Sequence, residues 1–196
     1  MLTYKLRSFI DINKINWDWL SCNPNAIDLL KANPDKINWI YLSKNPAAID
    51  LLKVNLDKVH WYELSSNPEA MELLITNLDK ICWNNLSSNP NAINFIEQYL
   101  NDPIVCKKLD WDILSTNPNA LPILLKYPYM INWPRFSKNP AAMSILENTM
   151  CYIDWVYLSE NSAAIDFLTA NPIAIDVESL CSNPNGIPLL LEYGDI

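Results

Sequence analysis

His60 is the single histidine of this 196-residue chain, and its five cysteines, Cys22, Cys82, Cys106, Cys151 and Cys181, are scattered without a C-x-x-C pair. Zinc requires several His, Cys or carboxylate ligands converging on one point, and a cysteine nucleophile requires a base beside it. These spacings assemble neither. The thiols read as reduced packing residues of an intracellular protein rather than a disulfide frame, and His60 as a substituted helix cap. Two glycines, Gly186 and Gly194, exclude the common Gly-rich phosphate loops. Asp28, Asp50, Glu72 and Asp166 share one repeat position in a row broken by Asn94, Pro122 and Ser144, which reads as a solvated face. No catalytic residue, cofactor site or metal site is expected, and the chain reads as a non-enzyme.

Residue types suited to gripping another protein lie elsewhere. The phrase W-x-x-L/F-S-x-N opens on Trp17, Trp39, Trp61, Trp83, Trp111, Trp133 and Trp155, mostly at 22-residue steps. Its third position reads Trp19, Tyr41, Glu63, Asn85, Ile113, Arg135, Tyr157 and, in a worn last copy, Ser179. The core positions scarcely vary between units, whereas this position varies widely and supplies Trp, Tyr and Arg, the types enriched at binding hot spots. Variable residues on an invariant frame are how stacked repeats recognise partners. The competing reading has the aromatics covering the edge of the core. Trp19, Tyr41, Glu63, Ile113, Arg135 and Tyr157 are the candidate partner-binding residues.

A period of this length implies supersecondary units that bury their apolar faces only by stacking. The expected architecture is all-α: a right- or left-handed α-solenoid of about eight two-helix repeats in one domain over 1–196. It comprises an N-terminal cap at 1–16, repeats over 17–176 with an insertion near 97–108, and a degenerate repeat at 177–196 with Val177, Cys181 and Gly186 replacing Trp, Ser and Ala.

In the second unit, Asn45-Pro46 starts a helix running to about Lys53, with Ala48, Ile49, Leu51 and Leu52 as its apolar stripe. Asn55 is expected to end it through left-handed backbone. Asn38 caps a shorter helix over Trp39 to Ser43, with Ile37 and Leu42 as a hydrophobic staple. His60 and Cys82 replace that cap in two units and should weaken the turn. A leucine-rich repeat does not fit, because the site two before the Leu is Asp18, Ile40, Tyr62, Asn84, Asp112 and Pro134 in successive units rather than uniformly apolar.

Helices this short are marginal alone, so stacking must supply the stability. The tryptophan ladder is the expected core, each ring burying about 150–250 Å² and contributing at most ~4–6 kcal/mol. On that basis Trp61→Ala should cost roughly 3–5 kcal/mol, and Asn67→Ala about 1 kcal/mol as a lost N-cap, with more if its amide also bonds the adjacent repeat. The step from Trp83 to Trp111 holds six extra residues. Ile93, Ile96 and Leu100 should extend a helix until Asp102-Pro103 stops it, and the remainder should bulge from one face, as a binding loop or as neutral drift in length.

The formal net charge of −8, with 14 Lys and Arg unclustered, opposes nucleic-acid binding. Membrane association is not expected either: Pro188 breaks the apolar run Ile187 to Leu191, and Met1 to Asp11 lacks the apolar core of a signal peptide.

The phrases NPNAIDLLKANPDKINW and LSKNPAAIDLLKVN resemble the Asn-Pro/Trp repeat proteins encoded in multiple copies by Mimivirus-like giant viruses, over almost the whole chain. Tyr127 to Met130 and Thr149 to Tyr152 depart from the pattern. The resemblance implies a repeat fold, agrees with the Asn, Ile and Lys bias, and brings no catalytic residues. The expected function is a non-enzymatic scaffold for protein–protein interaction, with a host protein as the partner the viral resemblance implies. The alternative is a structural or assembly component of a viral particle.

Overall fold

The computed structural model describes residues 7–192, and all regular secondary structure among them is helical. Each repeat is more finely divided than the expected pair of helices. In the second, the α-helix Trp39–Lys44 leads to a 3-10 turn at Pro46–Ala48, the α-helix Ile49–Lys53 and a second 3-10 turn at Leu56–Lys58. The helix expected over Pro46 to Lys53 is split because Ala48, at φ −92° and ψ 0°, sits in the bridge region.

Nor does Asn55 end its helix through left-handed backbone. No non-glycine residue among those described has positive φ, and Asn55 lies at φ −135°, ψ 49°. Its side-chain Nδ2 donates to the Leu51 carbonyl at 2.9 Å, giving a partner to a carbonyl that the helix end would leave free. Asn33, Asn77 and Asn171 repeat this bond, and Thr149 makes it with its hydroxyl. A short polar side chain thus closes the helix without the cost of αL backbone.

The chain forms two compact units, one of Met1–Ala92 with Lys107–Leu109 and the other of Ile93–Cys106 with Asp110–Ile196. In the first, the Trp helices Trp17–Cys22, Trp39–Lys44, Trp61–Ser65 and Trp83–Leu86 pack neighbour on neighbour, and the Asn-Pro turns Pro24–Ala26, Pro46–Ala48, Pro68–Ala70 and Pro90–Ala92 stack beside them. In the second, Trp111–Thr116, Trp133–Ser137, Trp155–Ser159 and Val177–Leu180 form the equivalent row.

None of the seven repeat tryptophans belongs to the buried core; all are half-buried. The fully buried side chains are smaller. Leu42, Leu64 and Leu86 of the Trp helices, Ala48, Ala70 and Ala92 of the turns, and Leu52 and Leu74 of the following helices fill the first unit. Leu114, Phe136, Leu158, Ala120, Ala142, Leu124, Leu146 and Leu168 fill the second. Each Trp begins its helix, at the rim of this core, where a large ring bridges the apolar interior and water. Residues 19 positions further along the chain lie against the rings. The ammonium groups of Lys58 and Lys80 lie 4.9 and 4.7 Å from the ring centroids of Trp39 and Trp61, and Tyr152 stacks on Trp133 at 4.4 Å.

What joins repeat to repeat is polar. Ser43 Oγ donates to the Trp39 carbonyl at 2.7 Å and accepts the His60 N–H of the next repeat at 3.0 Å. Ser21 and Ser65 do the same toward Asn38 and Cys82, and in the second unit Ser115, Ser137 and Ser159 toward Asn132, Asp154 and Asp176. Asn67 works in the opposite direction. Its Oδ1 accepts the Glu69 N–H at 3.1 Å as an N-cap, while its Nδ2 donates to the Ser43 and Asn45 carbonyls of the preceding repeat at 3.0 and 3.1 Å. Asn45 and Asn89 in the first unit, and Asn139, Asn161 and Asn183 in the second, make the same pair of donations. These serines and asparagines are buried, so each bond also removes the desolvation cost of an unpaired polar group.

The insertion is folded. The helix Ile93–Tyr99 is longer than its counterparts, as expected, but Asp102-Pro103 starts a further helix, Pro103–Lys108, instead of leaving a bulge. Asp102 Oδ1 accepts the Ile104 N–H at 2.8 Å, proline suits the first helical position, and Val105 and Leu109 are buried. Asp11 caps a 3-10 turn at Ile12–Lys14 within the expected N-terminal cover; residues 1–6 of that cover and 193–196 of the last repeat lie outside the described residues. In that last repeat, a Cβ on Gly186 would lie 2.7 Å from the Leu180 carbonyl oxygen, which explains glycine where the other repeats carry alanine.

Candidate protein-binding face

The second and third positions of each Trp helix point away from the Leu, Ser and Asn that seal the stack. Their helices are started by side-chain caps: Asn38 Oδ1 accepts from Ile40 and Tyr41 N–H, Asn132 from Arg135, and Asp154 from Val156 and Tyr157. His60 and Cys82 make no such bond, as their side chains predict. Among titratable caps, Asp176 is held below the usual carboxylate range by the Ser179 backbone N–H, with the Ser179 hydroxyl adding to it.

In the first unit, Trp19 is 72% exposed and Tyr41 39%, at one register on helices that pack directly together. Glu63, next in the row, is drawn inward by the Lys44 ammonium at 2.9 Å, and Asn85 donates to the Tyr62 carbonyl at 2.8 Å. Beside them lie Ile40 and Tyr62, 47% and 51% exposed, which add to the exposed apolar surface. In the sequence those two positions serve only to exclude a leucine-rich repeat. Their signal was adjacency to the variable position on the same short helix.

In the second unit Ile113 is half-buried, while Arg135 and Tyr157 line one groove with Thr116, Lys138, Glu160 and Ser162. The groove has a volume of about 460 Å³ and mixed polarity. Lys138 pairs with Glu160, and the Arg135 guanidinium lies 4.0 Å from Asp112. Such exposed pairs contribute little to stability, and they leave the groove nearly neutral.

The other sequence candidates occupy ordinary surroundings. Asp28, Asp50, Glu72 and Asp166 are exposed, and Glu72 accepts from Lys53 at 2.8 Å. His60 packs edge-on against Tyr62 at 6.2 Å. All five cysteines are free thiols, and among the described residues no three His, Cys, Asp or Glu side chains converge as a metal site. No helix among the described residues is long and apolar enough to cross a membrane.

The fold is that of an all-α tandem-repeat protein whose repeats pack neighbour to neighbour. Set against protein-family models, curated proteins and solved structures, the chain matches none.

Proposed function

We propose that the chain is a non-enzymatic scaffold that binds another protein through the exposed face of its Trp helices. One observation carries this reading: the position that changes from Trp to Tyr to Arg between repeats lies outside a frame whose Ser and Asn bonds hardly change. Aromatic and arginine side chains that are accessible on short, rigid helices are suited to act as binding anchors. The viral resemblance makes a protein of the infected host cell the partner to seek.

Replacing Trp19, Tyr41 and Tyr157 together by Ser is expected to weaken a partner isolated by affinity capture at least about tenfold, as loss of hot-spot side chains does. Trp19 and Tyr41 are exposed and Tyr157 half-buried, so far-ultraviolet circular dichroism should stay unchanged. Parallel loss of ellipticity and binding would show that these side chains only cover the core. Recovery of the chain in purified particles, with no captured partner, would favour the structural role instead.

A further inference from the structure

The first repeat of the first unit and the last repeat of the second each present a face that the other repeats cover. At the first, Asn23 and Asn25 are exposed and Leu20 is half-buried, whereas every later counterpart of Asn23 and Leu20 is buried. A groove of about 220 Å³ lies open beside Leu20, Asn23, Ala26 and Leu29. At the last, Leu190 is half-buried and Ile187 58% exposed, whereas every earlier counterpart of Leu190 is fully buried. A repeat that ends a stack in water ordinarily turns a polar face outward, and the groove, Ile187 and Leu190 depart from that.

The two faces match by the same bonds that join neighbouring repeats. Asn23 Oδ1 accepts the Asn25 N–H at 3.0 Å, but its Nδ2 has no acceptor among the described residues. In later repeats that amide donates to two carbonyls of the preceding repeat, as Asn67 does to Ser43 and Asn45; on the last repeat those places are held by Cys181 and Asn183. Asn91 and Asn185 each donate to the carbonyl that follows the preceding ladder asparagine, at 3.0 and 2.8 Å. Asn25 is their counterpart, and Pro184 carries the matching carbonyl. Asn38 donates to Asp18 of the preceding Trp helix at 2.8 Å, and Asn16 and Glu178 stand at those positions on the two end repeats. Met71 and Met143 touch the next repeat's asparagine through sulfur at 3.7 Å, and Ile187 stands at their position.

We propose that a second copy of this chain docks head to tail, the last repeat of one copy seated on the first repeat of the other. The contact continues the repeat interface, with Asn23 and Asn25 of one copy donating to Cys181, Asn183 and Pro184 carbonyls of the next and Ile187 laid against Asn23. Charge agrees: Lys5, Arg7 and Lys14 outnumber Asp11 in residues 1–16, whereas residues 177–196 hold Glu178, Glu192 and Asp195 with no basic residue. Contacts of this kind use two different faces, so copies close into a ring or run on as an open chain. Cys181 replaces the serine that accepts the next repeat's N–H, and the contact is one repeat wide, so it is weaker than an interior one. The inference concerns the ends of the ladder and is independent of the outer-face reading.

Sedimentation equilibrium of the full chain over about 10–500 µM, the range suited to a small interface, should give a mass that rises with concentration. Asn23→Asp keeps the cap on Asn25 but cannot donate, and Ile187→Lys sets a charge against Asn23; each should weaken self-association at least about tenfold. Both positions are exposed, so the circular dichroism and urea midpoint of each variant should match the parent's. An equimolar mixture of the two variants has one intact head and one intact tail, and should form dimers at the parent's affinity and nothing larger. A parent that stays monomeric throughout, a mixture as monomeric as its components, or undiminished association of either variant overturns the inference.

Discussion

Asn67→Asp is expected to destabilise the protein by roughly 3–5 kcal/mol, although the two side chains have nearly the same shape and cap helices equally well. The carboxylate can still accept the Glu69 N–H, so a side chain that served only as an N-cap would tolerate the change. What it cannot do is donate to the Ser43 and Asn45 carbonyls, which now receive the Asn67 amide at 3.0 and 3.1 Å in a buried position. Two buried acceptors lose their donor, and a charged oxygen is turned toward them.

The loss should also depend on pH. Burial and two facing carbonyl oxygens disfavour the ionised form, so the folded-state pKa of the introduced carboxyl lies above its unfolded value of about 3.9. For a group raised in the folded state, the protonated form's stability is present below the unfolded pKa and is lost as pH rises through the folded one. Urea denaturation of variant and parent should therefore diverge more at about pH 7 than at about pH 4. A loss under about 1 kcal/mol at neutral pH would reduce Asn67 to a cap.

Leu64→Ala should cost about 2–5 kcal/mol, because Leu64 is fully buried and the stack around it can collapse only in part. Trp61→Ala removes a larger side chain but should cost less, about half of the ~3–5 kcal/mol typical of a buried Trp, since Trp61 lies at the rim of the core, partly exposed, with Lys80 over its ring. Denaturation midpoints at equal slope decide the order. A Trp61 variant weaker than the Leu64 variant would return the tryptophans to the core.

The repeat period, the all-α class and the Asn-Pro helix starts are legible in the sequence because each has a local physical cause: recurrence, a 3.6-residue apolar stripe, a capping side chain. The burial of Trp is not, since the regularity of a large apolar residue does not distinguish the centre of a core from its rim. The second task of the asparagines was available as a contrast between two capping positions. At the start of the Trp helices Asn, Asp, His and Cys interchange, as at Asn38, His60, Cys82, Asp110 and Asp154, because an acceptor there is useful and dispensable. At Asn23, Asn45, Asn67, Asn89, Asn117, Asn139, Asn161 and Asn183 no substitute occurs, even Asp. Only an amide accepts as a cap while donating to a second repeat. Ser is nearly as constant from Ser21 to Ser159, for a hydroxyl that both donates and accepts.

The insertion is ambiguous in the sequence for a related reason. Asp102-Pro103 is both a helix stop and a helix start, and the buried Val105 and Leu109 beyond it favour the start. On the candidate face, variability between repeats singled out Trp19, Tyr41 and Arg135, whereas Glu63 was turned inward by Lys44, a partner in another repeat that spacing alone does not reveal.

Within each of the two units, buried serine hydroxyls and asparagine amides bond one repeat to the next. Amide hydrogen exchange at His60, Cys82, Asn132 and Asp154 tests it most directly. These residues precede their helices in extended backbone, where an N–H has no intrahelical acceptor, and each instead donates to a serine Oγ of the preceding repeat at 3.0 Å. Protection close to that of the Leu42 and Leu64 amides inside their helices is the predicted result. Exchange as fast as at the exposed turn residue Asp57 would contradict the account.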